Sequence, residues 1–267
     1  MRTPLVFILL AAVALSACSA CNPGPTANKN NSNGNANVRS AEAPTLPPLP
    51  TPVPVDTSFK ACNPYYPLVP GSRRKYTISY SGNITADATA IVYPWEENGR
   101  TGFKEIIQIR DTSGGYQITQ QIERHYVCDG DKVQILYEKT DSNVDTNQTA
   151  TEFFYRDPSY MMIEPSSLKP GATWSQSLKM KLQRAGQPAA EPDAPTFVNF
   201  TVLKMDDELP LPIGKVKAMS IYRKVGEAEI NDYFVPGLGF VFRNSKEGNK
   251  WILKEYSGLK PVEAPVQ

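Results

Sequence analysis

Tyr116-Gln117-Ile118-Thr119-Gln120-Gln121-Ile122-Glu123-Arg124-His125-Tyr126-Val127-Cys128 decides the fold class. Tyr116, Ile118, Ile122, Tyr126 and Cys128 share one parity, while Thr119, Gln121, Glu123 and His125 share the other. A period of two marks a β-strand with one buried and one wet face. The run from Gly115 to Cys128 is also longer than the usual ~5–6 residues. Tyr76, Ile78 and Tyr80 alternate with Lys75, Thr77 and Ser79. Trp174, Leu178, Met180 and Leu182 repeat the pattern, as do Val198, Phe200 and Val202. Turn signals punctuate these runs at Asn98-Gly99, Asp129-Gly130, Pro170-Gly171, Pro236-Gly237 and Gly248-Asn249. No segment carries a convincing helical stripe. The expectation is an all-β protein of about a dozen strands, mostly antiparallel neighbours. Long one-sided strands predict a large, strongly curved sheet, either a half-open barrel or a sandwich.

Composition narrows the function. The chain has 267 residues, with 28 Lys+Arg against 27 Asp+Glu. Such balance argues against a nucleic-acid binder, which carries a basic face. A single His rules out sites that need two imidazoles, zinc H-E-x-x-H among them. No phosphate-binding G-x-x-x-x-G-K-[ST], no strand-linked G-x-G-x-x-G and no G-x-S-x-G elbow is present. No cofactor and no metal site is therefore expected.

The N-terminus carries an address. Arg2 is followed by an uninterrupted apolar run from Leu5 to Leu15, too short to span a bilayer and suited to a signal peptide. Leu15-Ser16-Ala17-Cys18 resembles the bacterial lipobox. That resemblance implies cleavage after Ala17, lipidation of Cys18 and a membrane partner reached through the acyl chains. Ser19 is not a retention signal of the enteric type, so the outer membrane is the expected destination, with palmitate among the acyl groups. Cys18-Ser-Ala-Cys21 also reads as C-x-x-C, but an Asn-rich stretch follows where a redox motif needs a helix; Cys21 is left over.

Residues 1–17 are read as the signal peptide and 18–57 as lipidated Cys and tether. The stretch from Asn22 to Asn37 is rich in Asn, and Pro44 to Pro54 is rich in Pro. Neither can bury an apolar face, so disorder or polyproline II is expected. A single β-rich domain follows over 58–260, with a short tail at 261–267. Cys62 and Cys128 are its two cysteines. In an oxidising envelope, and without metal-ligand spacing, they are expected to form a disulfide.

Four segments resemble a family of secreted bacterial β-rich lipoproteins without an assigned activity. They are Tyr65-Tyr66-Pro67-Leu68-Val69-Pro70-Gly71 running on to Tyr76, Lys169-Pro170-Gly171-Ala172-Thr173-Trp174, Leu211-Pro212-Ile213-Gly214 running on to Ala218, and Tyr233-Phe234-Val235-Pro236-Gly237-Leu238-Gly239. Arg74 stands where that family usually has Trp. A looser similarity is to envelope lipid carriers with a curved sheet around an apolar cavity. These resemblances imply fold and export, and the second also implies an apolar ligand. Trp174, Tyr233 and Phe240 are the expected contacts to it, with core packing as their alternative role.

Other chemistry has bland readings. His125 falls on the polar parity and is expected to be solvated. Asp129-Gly130-Asp131 reads as a two-residue hairpin turn rather than a calcium loop. Asp206-Asp207-Glu208 reads as a solvated loop, and Arg73-Arg74-Lys75 as a solubilising strand start. No catalytic constellation is seen. A non-enzymatic envelope module that binds a partner protein or stabilises the envelope is expected first, a carrier of a lipid or other apolar ligand second, and a carboxylate-dependent glycan hydrolase third. Replacing Cys18 by Ala in a bacterial host will abolish incorporation of labelled palmitate and move the chain from the membrane to the soluble fraction.

Overall fold

The computed structural model describes residues 48–262, save 57, 82–83, 113–117, 145–146, 185 and 192–193. The signal peptide, Cys18, Cys21 and the Asn-rich stretch lie outside the described residues. The strands are β1 (Arg73–Tyr80), β2 (Ile84–Glu97), β3 (Arg100–Asp111), β4 (Ile118–Asp129), β5 (Lys132–Val144), β6 (Asn147–Tyr155) and β7 (Tyr160–Met162). There follow β8 (Thr173–Arg184), β9 (Thr196–Leu211), β10 (Gly214–Val225), β11 (Ala228–Val235), β12 (Gly239–Ser245) and β13 (Lys250–Ser257). A 3-10 turn at Pro165–Ser167 is the one helical element among the described residues. None is long and apolar enough to cross a membrane.

All pairings are antiparallel. The order runs β4-β3-β2-β1-β13-β12-β11-β10-β9-β8-β6-β5, and β4 pairs again with β5. Every strand but β7 thus belongs to one closed ring. Closure leaves the ring without a free edge. The curved-sheet expectation resolves into a barrel. Asn98-Gly99 closes β2–β3 with both residues at positive φ, 52° and 75°, as a tight two-residue hairpin demands. Gly130 and Asp131 form the expected turn between β4 and β5.

Register sets what faces the lumen. Arg74, Ala90, Ile107 and Ile122 lie opposite one another across β1, β2, β3 and β4. Small Ala86, Ala88 and Ala90 on β2 face Ile78, Tyr76 and Arg74 on β1, leaving room for those large side chains. The outward parity carries exposed pairs such as Lys75–Glu255 and Lys215–Glu208, both at 2.6 Å.

The chain before β1 caps one end. Tyr65 and Leu68 are each 1% exposed and pack with Tyr126, Met162, Leu168 and Leu178. The Asn63 amide donates to the carbonyls of Asp131 at 2.8 Å and Ile163 at 2.9 Å. Gly237 N donates to the Pro64 carbonyl at 2.7 Å. These partners sit by the β4–β5 and β11–β12 turns, so the cap closes that end. The expected disulfide is present: Cys62 joins Cys128, binding cap to β4. Residues 48–56 of the Pro-rich stretch run along the outside. Leu49 and Val53 cover Ile91, Tyr93 and Ile106, and Tyr93 donates to the Pro50 carbonyl at 3.2 Å.

Two bland sequence readings change. Asp206-Asp207-Glu208 is strand, not loop, because the hairpin of β9 and β10 runs to Leu211 and Gly214 and sets Glu208 opposite Lys217. Arg74 is not a solubilising residue: it points inward and is 2% exposed. The disulfide closes a span of 66 residues. Replacing Cys62 and Cys128 together by Ala will lower unfolding stability by up to about 4 kcal/mol, from the loop-closure entropy of such a span. Urea unfolding of this variant and of the reduced wild type should agree.

Candidate functional site

Inside the ring is a partly enclosed cavity of about 180 Å³. Its lining mixes two kinds of side chain. Tyr80, Ile107, Ile109, Ile122, Phe240 and Trp251 form apolar wall. Arg74, Arg124, Arg223 and Arg243 line it as well, with Glu105, Glu138 and Asp232.

The charges divide into two groups. Arg74 Nη2 donates to Glu105 Oε1 at 2.8 Å, and Arg124 lies 3.7 Å from Glu105 Oε2. Arg124 Nε donates to Glu138 Oε2 at 2.6 Å. Register explains this chain of pairs, since Glu105, Arg124 and Glu138 are direct cross-strand neighbours on β3, β4 and β5. The Tyr126 hydroxyl donates to Glu105 Oε2 at 3.4 Å and shares a 2.7 Å hydrogen bond with Tyr66. Burial, with Glu105 beside them, pushes both phenols above the ordinary tyrosine range. They are therefore donors, not phenolates.

The second group has two guanidinium groups for one carboxylate. Arg243 donates to both Asp232 oxygens, Nε to Oδ1 at 2.6 Å and Nη2 to Oδ2 at 3.1 Å. Arg223 Nε lies 3.1 Å from Asp232 Oδ2 but makes no hydrogen bond. Burial, opposed by Asp232 and reinforced by Arg243 and Arg124, pulls Arg223 down to about 10. Burial also works to raise the Asp232 pKa, but Arg243 and Arg223 outweigh it and hold that carboxyl below the ordinary range. Arg74 Nε is a second buried donor with no acceptor.

The sequence-derived aromatics separate. Phe240 lines the cavity and lies under the Arg243 guanidinium, 5.1 Å from its ring centre. Trp174 instead stacks on Phe200 at 4.9 Å and donates its indole N–H to the Tyr160 carbonyl at 3.0 Å. Tyr233 packs on Phe242 at 5.2 Å, on the parity opposite Asp232 and Phe234. His125 differs from the solvated reading. Its side chain is 12% exposed, between Trp95 at 4.7 Å and Tyr137 at 5.3 Å, with Nε2 2.7 Å from Glu123 Oε1. Gly102 on the intervening strand has no room for a side chain, for a Cβ there would collide with the Tyr126 carbonyl and crowd Val127 and Trp95.

The seven lumenal charges went unrecognised in the sequence, although a signal was there. Arg124 sits between Ile122 and Tyr126 on the apolar parity, as Asp232 sits between Ile230 and Phe234. A charge on the buried face needs a partner or a ligand.

The arrangement offers an apolar wall beside surplus donors for an anion. Among the described residues no group of three or more His, Cys, Asp or Glu is placed to hold a metal ion. Comparison with family models, with curated proteins and with solved structures gave no match.

Removing a buried partner strands a charge, whereas an exposed pair contributes little. Asp232→Ala will lower stability by about 3–5 kcal/mol in urea unfolding, and Lys75→Ala by less than about 1 kcal/mol. Because the folded Asp232 pKa is depressed, its contribution is complete above the unfolded value near ~3.9 and is lost as pH falls through the folded value. The wild type will lose stability on acidification below that value, and Asp232→Asn will show a shallower decline.

Proposed function

We propose that this protein is a binding protein of the bacterial envelope, held to the membrane by lipid at Cys18, whose site is the barrel lumen. The cavity carries this reading: it sits inside the ring, walled by Ile107, Ile109, Ile122 and Trp251, with ionised side chains at hand. Its volume of about 180 Å³ exceeds the ~150 Å³ of an engineered cavity that takes up benzene. A compact, partly apolar ligand fits, and a whole diacyl lipid does not.

The charge pattern supports binding over hydrolysis. A glycosidase needs one carboxyl kept protonated. Here Glu105 and Glu138 accept from arginines, and Asp232 is held below the ordinary range by two of them. Cleavage after Ala17 and a tether through the Asn-rich stretch would set the barrel off the membrane surface. The outer membrane remains the proposed destination, from Ser19.

A second reading, docking of an envelope protein, draws on the outer face. Trp95, His125, Tyr137 and Phe154 form a row of ring contacts across β2, β4, β5 and β6, ending at Phe154, which is 47% exposed. Native mass spectrometry separates the two. The full chain with Cys18→Ala, secreted without its lipid and never denatured, should carry a small organic molecule at one per chain, released by solvent extraction. A clean unliganded mass together with no quenching of Trp251 fluorescence by small apolar molecules would overturn the lumen reading and leave the outer row.

A further inference from the structure

The lumen also specifies what kind of molecule it takes, an inference that rests on the proposed binding role. Four arginines and three carboxylates line the cavity, an excess of one positive charge. The excess is localised. Glu105 and Glu138 serve Arg74 and Arg124 in alternation along β1, β3, β4 and β5. On β10, β11 and β12 a single Asp232 faces both Arg223 and Arg243. Asp232 already accepts two hydrogen bonds from Arg243, and Arg223 Nε is left buried without an acceptor. A buried, unfilled cationic donor is costly, and an acceptor supplied from outside relieves that cost.

Apolar surface adjoins this charge. The Arg243 guanidinium lies 5.1 Å from the centre of Phe240 and 5.7 Å from that of Trp251. Both rings line the cavity, as do Ile107, Ile109 and Ile122. A molecule with one anionic end and one apolar end would meet both. We propose that the lumenal ligand is a compact amphipathic monocarboxylate, its oxyanion against Arg223 and Arg243 and its apolar part along Phe240, Trp251 and the isoleucines. One negative charge balances the excess. The space suits a single ring or a short chain rather than a long acyl tail. Burial, with Arg243 and Arg124 beside it, lowers the Arg223 pKa more than Asp232 raises it.

The test is isothermal titration calorimetry of the full Cys18→Ala chain with three probes of one shape: octanoate, 1-octanol and octylammonium. Octanoate should bind about tenfold or more tighter than octanol, the scale of one charge-assisted hydrogen bond, and octylammonium weakest of all. Arg223→Met, checked for a native circular dichroism spectrum, should bring octanoate down to the affinity of octanol and leave octanol unchanged. If Arg223→Met fails to fold, the wild-type series decides by itself. Equal affinity for octanoate and octanol, or preference for octylammonium, would overturn the anion assignment while leaving the lumen as a binding site. Binding of none of the three would overturn the lumen reading with it.

Discussion

A ring of twelve strands encloses more space than its own inward side chains fill. An eight-stranded barrel is about the size at which side chains just meet, and each further strand widens the interior. Nearly every unusual feature of this molecule answers that surplus. The chain before β1 turns inward, so that Tyr65, Tyr66 and Leu68 close one end as a cap. Long side chains reach into the remaining width: arginines from β1, β4, β10 and β12, and aromatics such as Tyr80 and Trp251. What they leave unfilled is the cavity. Cap, charge network and cavity are thus consequences of one dimension.

The charge network has its own logic. Buried ion pairs rarely add stability over a well-packed apolar core. They do select geometry, because Arg124 satisfies Glu138 and meets Glu105 only when β3, β4 and β5 keep their observed register. A one-residue slip would turn Arg124 outward and bring His125 in. In a large, closed, antiparallel ring, where slipped registers compete, such pairing discriminates strongly. Asp232 departs from that economy. It has two guanidinium partners, and the one whose Nε makes no hydrogen bond, Arg223, lines the cavity.

The sequence made the fold legible and left the site hidden, for a physical reason. The alternation of Tyr76, Ile78 and Tyr80, of Trp174 to Leu182, and of Val198 to Val202 reports which parity is buried, and each faces inward as expected. Alternation is local, so it gives no strand order, and closure through β4–β5 rests on pairing that no short window contains. The disulfide was readable because Cys62 and Cys128 had no other plausible role. Arg124, Arg223 and Asp232 were hard to see because a charge on a buried parity looks like a flaw in the pattern. Arg74, on the inward parity of β1 with Tyr76 and Ile78, was the plainest such flaw. Of the three aromatics singled out on their motifs, Phe240 lines the cavity, while Trp174 stacks on Phe200 and Tyr233 packs on Phe242.

The central claim is that the lumen is a pocket with a charged end and an apolar end. A crystal structure of the protein soaked in a short bromoalkanoate tests it most directly, since bromine is located by its anomalous scattering. The account predicts one bromine peak inside the ring, beside the isoleucines and Trp251, with the carboxylate oxygens against Arg223 and Arg243. An interior without bromine, with Arg223 turned onto an acceptor of the protein's own, would contradict it.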